Sequence, residues 1–213
     1  MTEGPARPPL YPVSLDVRGQ SCLVVGGGRV AARKARSLLE CGAAVTVITP
    51  ILSPDMEELA PGLHTVVRRT YVTGDASAFR LVVSATGIPE VDGVVYADAE
   101  GAGVWANSAD DMAHSSFILP AVHRDGPVTV AVSTSGLSPA LASWLRTRLA
   151  ADCGEGIGML AQILGEARAH MKEAGRSTES VDWHQLLDGP LLELVRRGDI
   201  DGARATVQAA IGV

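Results

Sequence analysis

Two stretches of this 213-residue chain carry residue types whose spacing could do chemistry. The first is Gly26-Gly27-Gly28-Arg29-Val30-Ala31, a match to GxGxxG/A at Gly26, Gly28 and Ala31. In that pattern the first glycine permits a tight turn and the second lets backbone approach a pyrophosphate. The small third residue lets a helix pack closely on a sheet, with the free N–H groups of the helix start turned to the anion. The second stretch is WANSADDMAHSSFILPA, residues 105–121, which gathers Asn107, Ser108, Asp110, Asp111, His114, Ser115 and Ser116. A carboxylate in a cleft beside a nicotinamide can take the proton that must leave when a hydride leaves carbon, and Asp110 is the leading candidate. Plainer readings stand beside it: Asp110 or Asp111 caps the element that follows, and His114 is a hydrogen-bonded surface histidine.

The elements around these stretches must position them. SCLVV, residues 21–25, is a compact apolar run of the kind a parallel sheet buries on both faces. After the glycines, Ala31, Ala35, Leu38 and Leu39 recur at helical spacing, Arg33, Lys34 and Arg36 occupy other faces, and Gly42 follows as a C-cap. AVTVIT, residues 44–49, is a second buried strand, completing a β-α-β unit of about 30 residues. Alternation continues with a short helix near 55–59, a strand at 64–68, a helix near 75–79, a strand at 81–86, a helix around 89–100 and a strand at 104–107. This order predicts an α/β fold with a Rossmann-like, doubly wound parallel sheet, whose ligand crevice lies at the carboxyl ends of the strands.

The pattern then changes. FILPAVHRDGPVTVAVST reads as two strands around Asp125-Gly126. Ser138-Pro139 opens a helix through about residue 150. Beyond Gly156 there is only helical periodicity, broken near Gly175, Gly189-Pro190 and Gly198. The expected division is 1–112 for a dinucleotide-binding domain, 113–151 for a small α/β segment and 152–213 for a helical domain. Residues 1–12, rich in Pro and Gly, read as a flexible arm leading to a short extended segment at 11–15.

Composition narrows the function classes. With 46% hydrophobic and 20% charged residues the chain suits a packed globular protein. It has no apolar run near the ~18–20 residues a membrane span needs, and MTEGPARPPLYP lacks the apolar stretch of a secretory signal. A cytoplasmic protein without membrane association is expected. Cys22, Cys41 and Cys153 form neither a disulfide framework nor a zinc-type CxxC pair, so no resident metal is expected. A net charge of −6 disfavours a nucleic-acid surface. The two lysines, Lys34 and Lys172, exclude a Tyr-x-x-x-Lys arrangement, and neither a GxSxG elbow nor an HExxH motif occurs. The second strand ends in Thr49-Pro50-Ile51, with neither the acid that usually holds the ribose 2′-hydroxyl of NAD nor a basic residue for a 2′-phosphate. That favours NAD over NADP. A cradle for S-adenosylmethionine and a merely structural turn are the alternatives.

In order along the chain, YPVSLDVRGQSCLVVGGGRVAARKARSLLECGA, LVVSATG at 81–87, the Asn-x-x-Asp of Asn107 and Asp110 followed by SFILPA, and VAVSTSGLSPALA at 130–142 resemble one family. It is the precorrin-2 dehydrogenase and sirohydrochlorin ferrochelatase family, the N-terminal module of sirohaem synthases, and the likeness spans roughly residues 11–150. The resemblance implies NAD-dependent oxidation of precorrin-2 to sirohydrochlorin, and in bifunctional members insertion of ferrous iron in the same cleft. It implies that Asp110 is the functional carboxylate and that Arg29, Val30, Pro50, Ile51 and Thr86 join Gly26 and Gly28 around NAD. Asn107, His114, Ser116 and Thr134, a serine in some relatives, would face the tetrapyrrole. It further implies a homodimer formed through about 113–151. The methyltransferase domain fused in some relatives is absent from this chain, and its reaction is expected from another protein. Arg124, Arg146 and Arg148 either pair with substrate carboxylates or form a solvated helix face. The rival readings are a different NAD dehydrogenase and a non-enzymatic NAD-sensing redox regulator on the same fold.

Overall fold

The structure is a computed structural model and describes residues 9–212. Residues 1–8 of the expected arm lie outside the described residues, and residues 11–15 form no strand. The predicted alternation is realised as β1 (Ser21–Val25), α1 (Arg29–Glu40), β2 (Ala44–Ile48), α2 (Pro54–Leu59), β3 (Thr65–Val67), β4 (Leu81–Ser84), α3 (Pro89–Gly101) and β5 (Trp105–Ser108). The five strands are parallel and lie in the order β3-β2-β1-β4-β5. Strand order reverses between β1 and β4, which makes their carboxyl ends the switch point where such sheets bind ligands.

The apolar runs build this sheet because both faces are covered. Cys22 and Val24 of β1 pack with Ala31, Ala35 and Met56 on one side, while Leu23 and Val25 pack with Val95 and Ala99 on the other. In place of the helix expected near 75–79 there is a single 3₁₀ turn, Asp75–Ala78. Gly74 enters it at φ +100° with its N–H donated to Asp98 of α3 at 2.8 Å, and the turn stops because Phe79 is extended, at φ −112° and ψ 157°. Asp98 also accepts a short hydrogen bond from the Tyr71 hydroxyl.

After β5 the chain turns and comes back along that edge. Ser116 N–H donates to the Ala106 carbonyl at 2.8 Å, and Asn107 and Ser115 form an antiparallel bridge. The first compact unit therefore runs to Leu119, whereas the division read from sequence falls after residue 112.

The second unit begins at Pro120. β6 (Ala121–Asp125) and β7 (Val128–Val132) form an antiparallel hairpin around Gly126-Pro127, with Gly126 at φ +51°. α4 (Pro139–Cys153) opens as expected, with Ser138 Oγ accepting from Leu141 N–H at 3.2 Å. α5 (Ile157–Glu173), α6 (Trp183–Leu187), α7 (Leu191–Arg196) and α8 (Ile200–Ile211) bury Leu160, Ile163, Met171, Leu191, Val207 and Ile211 in one core. The hairpin joins this helical body because Asp125 accepts from Gly158 N–H at 3.0 Å, and a Cβ on Gly158 would strike the Asp125 carbonyl. Among the described residues no helix is long and apolar enough to cross a membrane.

Candidate functional site

The glycine turn links β1 to α1 at the switch point, and its three glycines do different things. Gly26 has φ +120°, donates to the Ile48 carbonyl at 2.9 Å and lies so near β4 that a Cβ would collide with the Ala85 carbonyl. Gly27 is wedged on the other side: a Cβ would collide with the Ile51 carbonyl, and the Gly27 carbonyl accepts from Ser53 N–H at 2.8 Å. Gly28 is different. It is the N-cap of α1 in extended conformation, no side chain caps the helix there, and a Cβ would meet nothing within 4 Å. Open space in front of an uncapped helix start is the cradle that a pyrophosphate fills, so the residues present fit a dinucleotide. Ala31 is fully buried against the sheet, as the motif requires. The requirement for glycine at 27 escaped the sequence pattern, because it comes from the end of β2 and not from the turn itself.

Around this cradle stand exposed apolar side chains: Val30 after the glycines, Ile51 after β2 and Ile88 after β4. Arg29 and Pro50 are exposed as well. The Thr49 hydroxyl donates to the Ile51 carbonyl at 2.8 Å and shapes the Thr49-Pro50-Ile51 turn. Thr86, expected against the cofactor, borders Gly26, and its hydroxyl donates at 2.9 Å to the buried carboxylate of Asp92 in the first turn of α3.

The polar loop after β5 is organised by Ser115, whose hydroxyl accepts from Ser108 N–H at 3.0 Å and donates to the Asp111 carbonyl at 2.9 Å. Asn107 is buried; its Nδ2 donates to the Phe117 carbonyl at 3.0 Å, while its Oδ1 has no partner. The Ser116 hydroxyl accepts from Ala106 N–H at 2.8 Å and so is tied to the β5 edge. Asp111 takes the plainer role foreseen for an acid here: Oδ1 accepts from Ala113 N–H and Oδ2 pairs with His114 Nδ1, both at 2.7 Å. The His114 hydrogen bond holds the Asp111 carboxyl below the usual carboxylate range. His114 packs edge-on against Tyr96, with ring centres 5.5 Å apart.

Asp110 is exposed and makes no hydrogen bond or ion pair among the described residues. Its charge is felt by Lys34 of α1. Burial, and then the Arg33 charge, push the Lys34 ammonium below its ordinary range, while the Asp110 carboxylate pulls it back. In the sequence Lys34 is one of the polar positions of α1 and serves to exclude a reductase motif; its relation to Asp110 arises because α1 starts at the edge of the sheet where β5 ends.

In the second unit, the Thr134 hydroxyl donates to the Ser138 carbonyl and accepts from Ser138 N–H, each at 3.0 Å, closing a turn in which Ser135 has φ +52°. Arg148 lies over the Trp144 ring at 5.3 Å, and Arg146 reaches Ser143 Oγ at 3.3 Å. No three His, Cys, Asp or Glu groups converge on a metal position among the described residues.

Residues 13–121 match an NAD(P)-binding family, and residues 125–151 match the central segment of sirohaem biosynthesis proteins. The chain is 38% identical over 204 residues to a siroheme synthase of Chromobacterium violaceum, covering 94% of this chain and 43% of that protein. A siroheme synthase of Nitrosococcus oceani is 36% identical with the same coverage. The chain thus spans less than half the length of these curated relatives. Among solved structures, SirC, a precorrin-2 dehydrogenase, superposes with a TM-score of 0.73 at 26% identity, covering 95% of this chain and 99% of SirC.

Proposed function

The chain belongs to the NAD(P)-binding family that residues 13–121 match, and on that premise we propose that it is a precorrin-2 dehydrogenase of sirohaem biosynthesis that oxidises precorrin-2 to sirohydrochlorin with NAD. The observation that supports this most is the position of Asp110: a carboxylate free of hydrogen bonds, at the carboxyl edge of the sheet, close enough to the glycine-turn helix to be felt by Lys34.

Bound nicotinamide supplies the hydride acceptor. The residues of this chain do the rest. Gly26 and Gly27 fix the turn, and the uncapped start of α1 beside Gly28 and Arg29 holds the diphosphate. Val30, Pro50, Ile51 and Ile88 exclude water from the dinucleotide, with Thr86 fixed at its border by Asp92. NAD is the dinucleotide proposed, because Thr49-Pro50-Ile51 itself offers no group for a 2′-phosphate. Asp110 accepts the proton released with the hydride, at a carboxylate oxygen or through one water. Lys34 counters the negative charge that gathers as a polycarboxylate approaches. Asn107, His114, Ser116 and Thr134 are the substrate contacts that the likeness to the family implies. Where ferrous iron is inserted it is a substrate at the same carboxylate. The active species is a homodimer through about 113–151.

The test is anaerobic incubation with enzymatically made precorrin-2, with and without NAD, followed by addition of ferrous iron. Sirohydrochlorin absorbance that grows only with NAD is the expected result, and a metal-dependent change above the spontaneous rate would add the chelatase. Binding of NAD without turnover would sink the dehydrogenase and favour the sensor.

A further inference from the structure

Two arginines follow β3, Arg68 and Arg69, and the sheet order brings this strand end against β2. Val67 pairs with Ile48, and the Val67 carbonyl accepts from Thr49 N–H at 3.1 Å. Arg68 is therefore the next residue along, at the head of the Thr49-Pro50-Ile51 turn, where a Rossmann fold makes its choice at the ribose 2′ position.

The two arginines are not equivalent. The Arg69 guanidinium is taken up by both oxygens of Asp75 at 2.6 and 2.8 Å and donates to the Thr70 carbonyl at 2.9 Å. Arg68 is exposed and has no hydrogen-bond or ion-pair partner among the described residues. The facing turn carries no carboxylate: Pro50 and Ile51 stand where an acid would repel a phosphate. A guanidinium suits a phosphate because its planar fork matches two oxygens at once.

We infer that Arg68 provides a 2′-phosphate subsite beside the end of β2, so that the crevice binds NADP as well as NAD. The subsite rests on the dinucleotide reading of the glycine turn. Since Arg68 is exposed, solvent limits its contribution to a factor of about five in affinity.

Calorimetric titration of the full chain with NAD and with NADP, at low and high ionic strength, tests this without relying on turnover. NADP should bind, and Arg68→Ala should lower the ratio of NADP to NAD affinity by about fivefold. Arg68→Glu should lower it further, and added salt should erode it in the parent protein. Binding of NAD with rejection of NADP would overturn the subsite and leave the dinucleotide reading intact, as would an unchanged ratio in Arg68→Ala. Failure of both dinucleotides to bind would overturn the two together.

Discussion

Asp110 and Asp111 are neighbours whose surroundings divide the work between them. Asp111 uses both oxygens to hold the turn after β5, through Ala113 N–H and His114. Asp110 is held in place by that turn while its own oxygens remain open to solvent and ligand. Asp110→Asn should therefore lower kcat by about 10²- to 10⁴-fold, the usual worth of a positioned general base, with cofactor affinity within about twofold; parallel turnover and titration measurements check this. Lys34 gives a second, sharper test. Burial lowers its pKa in the folded protein, with Arg33 adding to the effect. The folded state then binds fewer protons than the unfolded one as the lysine range is approached, so stability rises with pH there. Lys34→Met should abolish that rise and increase the melting temperature near neutral pH, yet reduce turnover. Thermal melts across pH and a kinetic assay decide it: a variant that is both less stable and fully active would show that Lys34 is only part of the packing.

At the scale of elements, the glycine turn separates shape from binding. Gly26→Ala places a Cβ against the Ala85 carbonyl at φ +120°, where strain and overlap together should cost about 2–4 kcal/mol of stability. Gly28→Ala meets open space, so stability should change by less than about 1 kcal/mol, while dinucleotide affinity drops because the methyl occupies the cradle. Denaturant unfolding and nucleotide titration of the pair distinguish the two roles. The same contrast explains what was legible in the sequence. Val-rich strands, the Gly26-x-Gly28 turn, the Asp125-Gly126 hairpin and the Ser138-Pro139 cap could be read because each is encoded locally by burial pattern or turn chemistry. The need for glycine at Gly27 and the placing of Lys34 and Arg68 at the site were not read. Each acquires its role from a neighbouring strand or helix remote in sequence, as does Asp98, which takes the Gly74 N–H from 24 residues away.

At the scale of the whole molecule, a protein of net charge −6 must take up an anionic dinucleotide and, on the function proposed, a polycarboxylate. In the first unit Arg29, Lys34 and Arg68 all lie toward the carboxyl edge of the sheet, so the crevice concentrates positive charge that the whole chain lacks. The second unit poses a different problem. Leu141 and Trp144, three residues apart on one face of α4, are 47% and 54% exposed, and Leu137 just before the helix is 90% exposed. Apolar side chains exposed side by side on one helix are costly to leave in water. A two-fold pairing of this helix with its copy would bury the same patch on both partners, consistent with the proposed homodimer. The double variant Leu141→Asp, Trp144→Asp introduces like charges facing one another across such an axis. It should elute as a monomer in size-exclusion chromatography with light scattering while keeping the helical content of the parent, because both side chains are already exposed and Ala142 carries the buried face. A dimer that survives both charges would place the interface elsewhere, and a parent chain that is monomeric would remove α4 as a dimerisation element altogether.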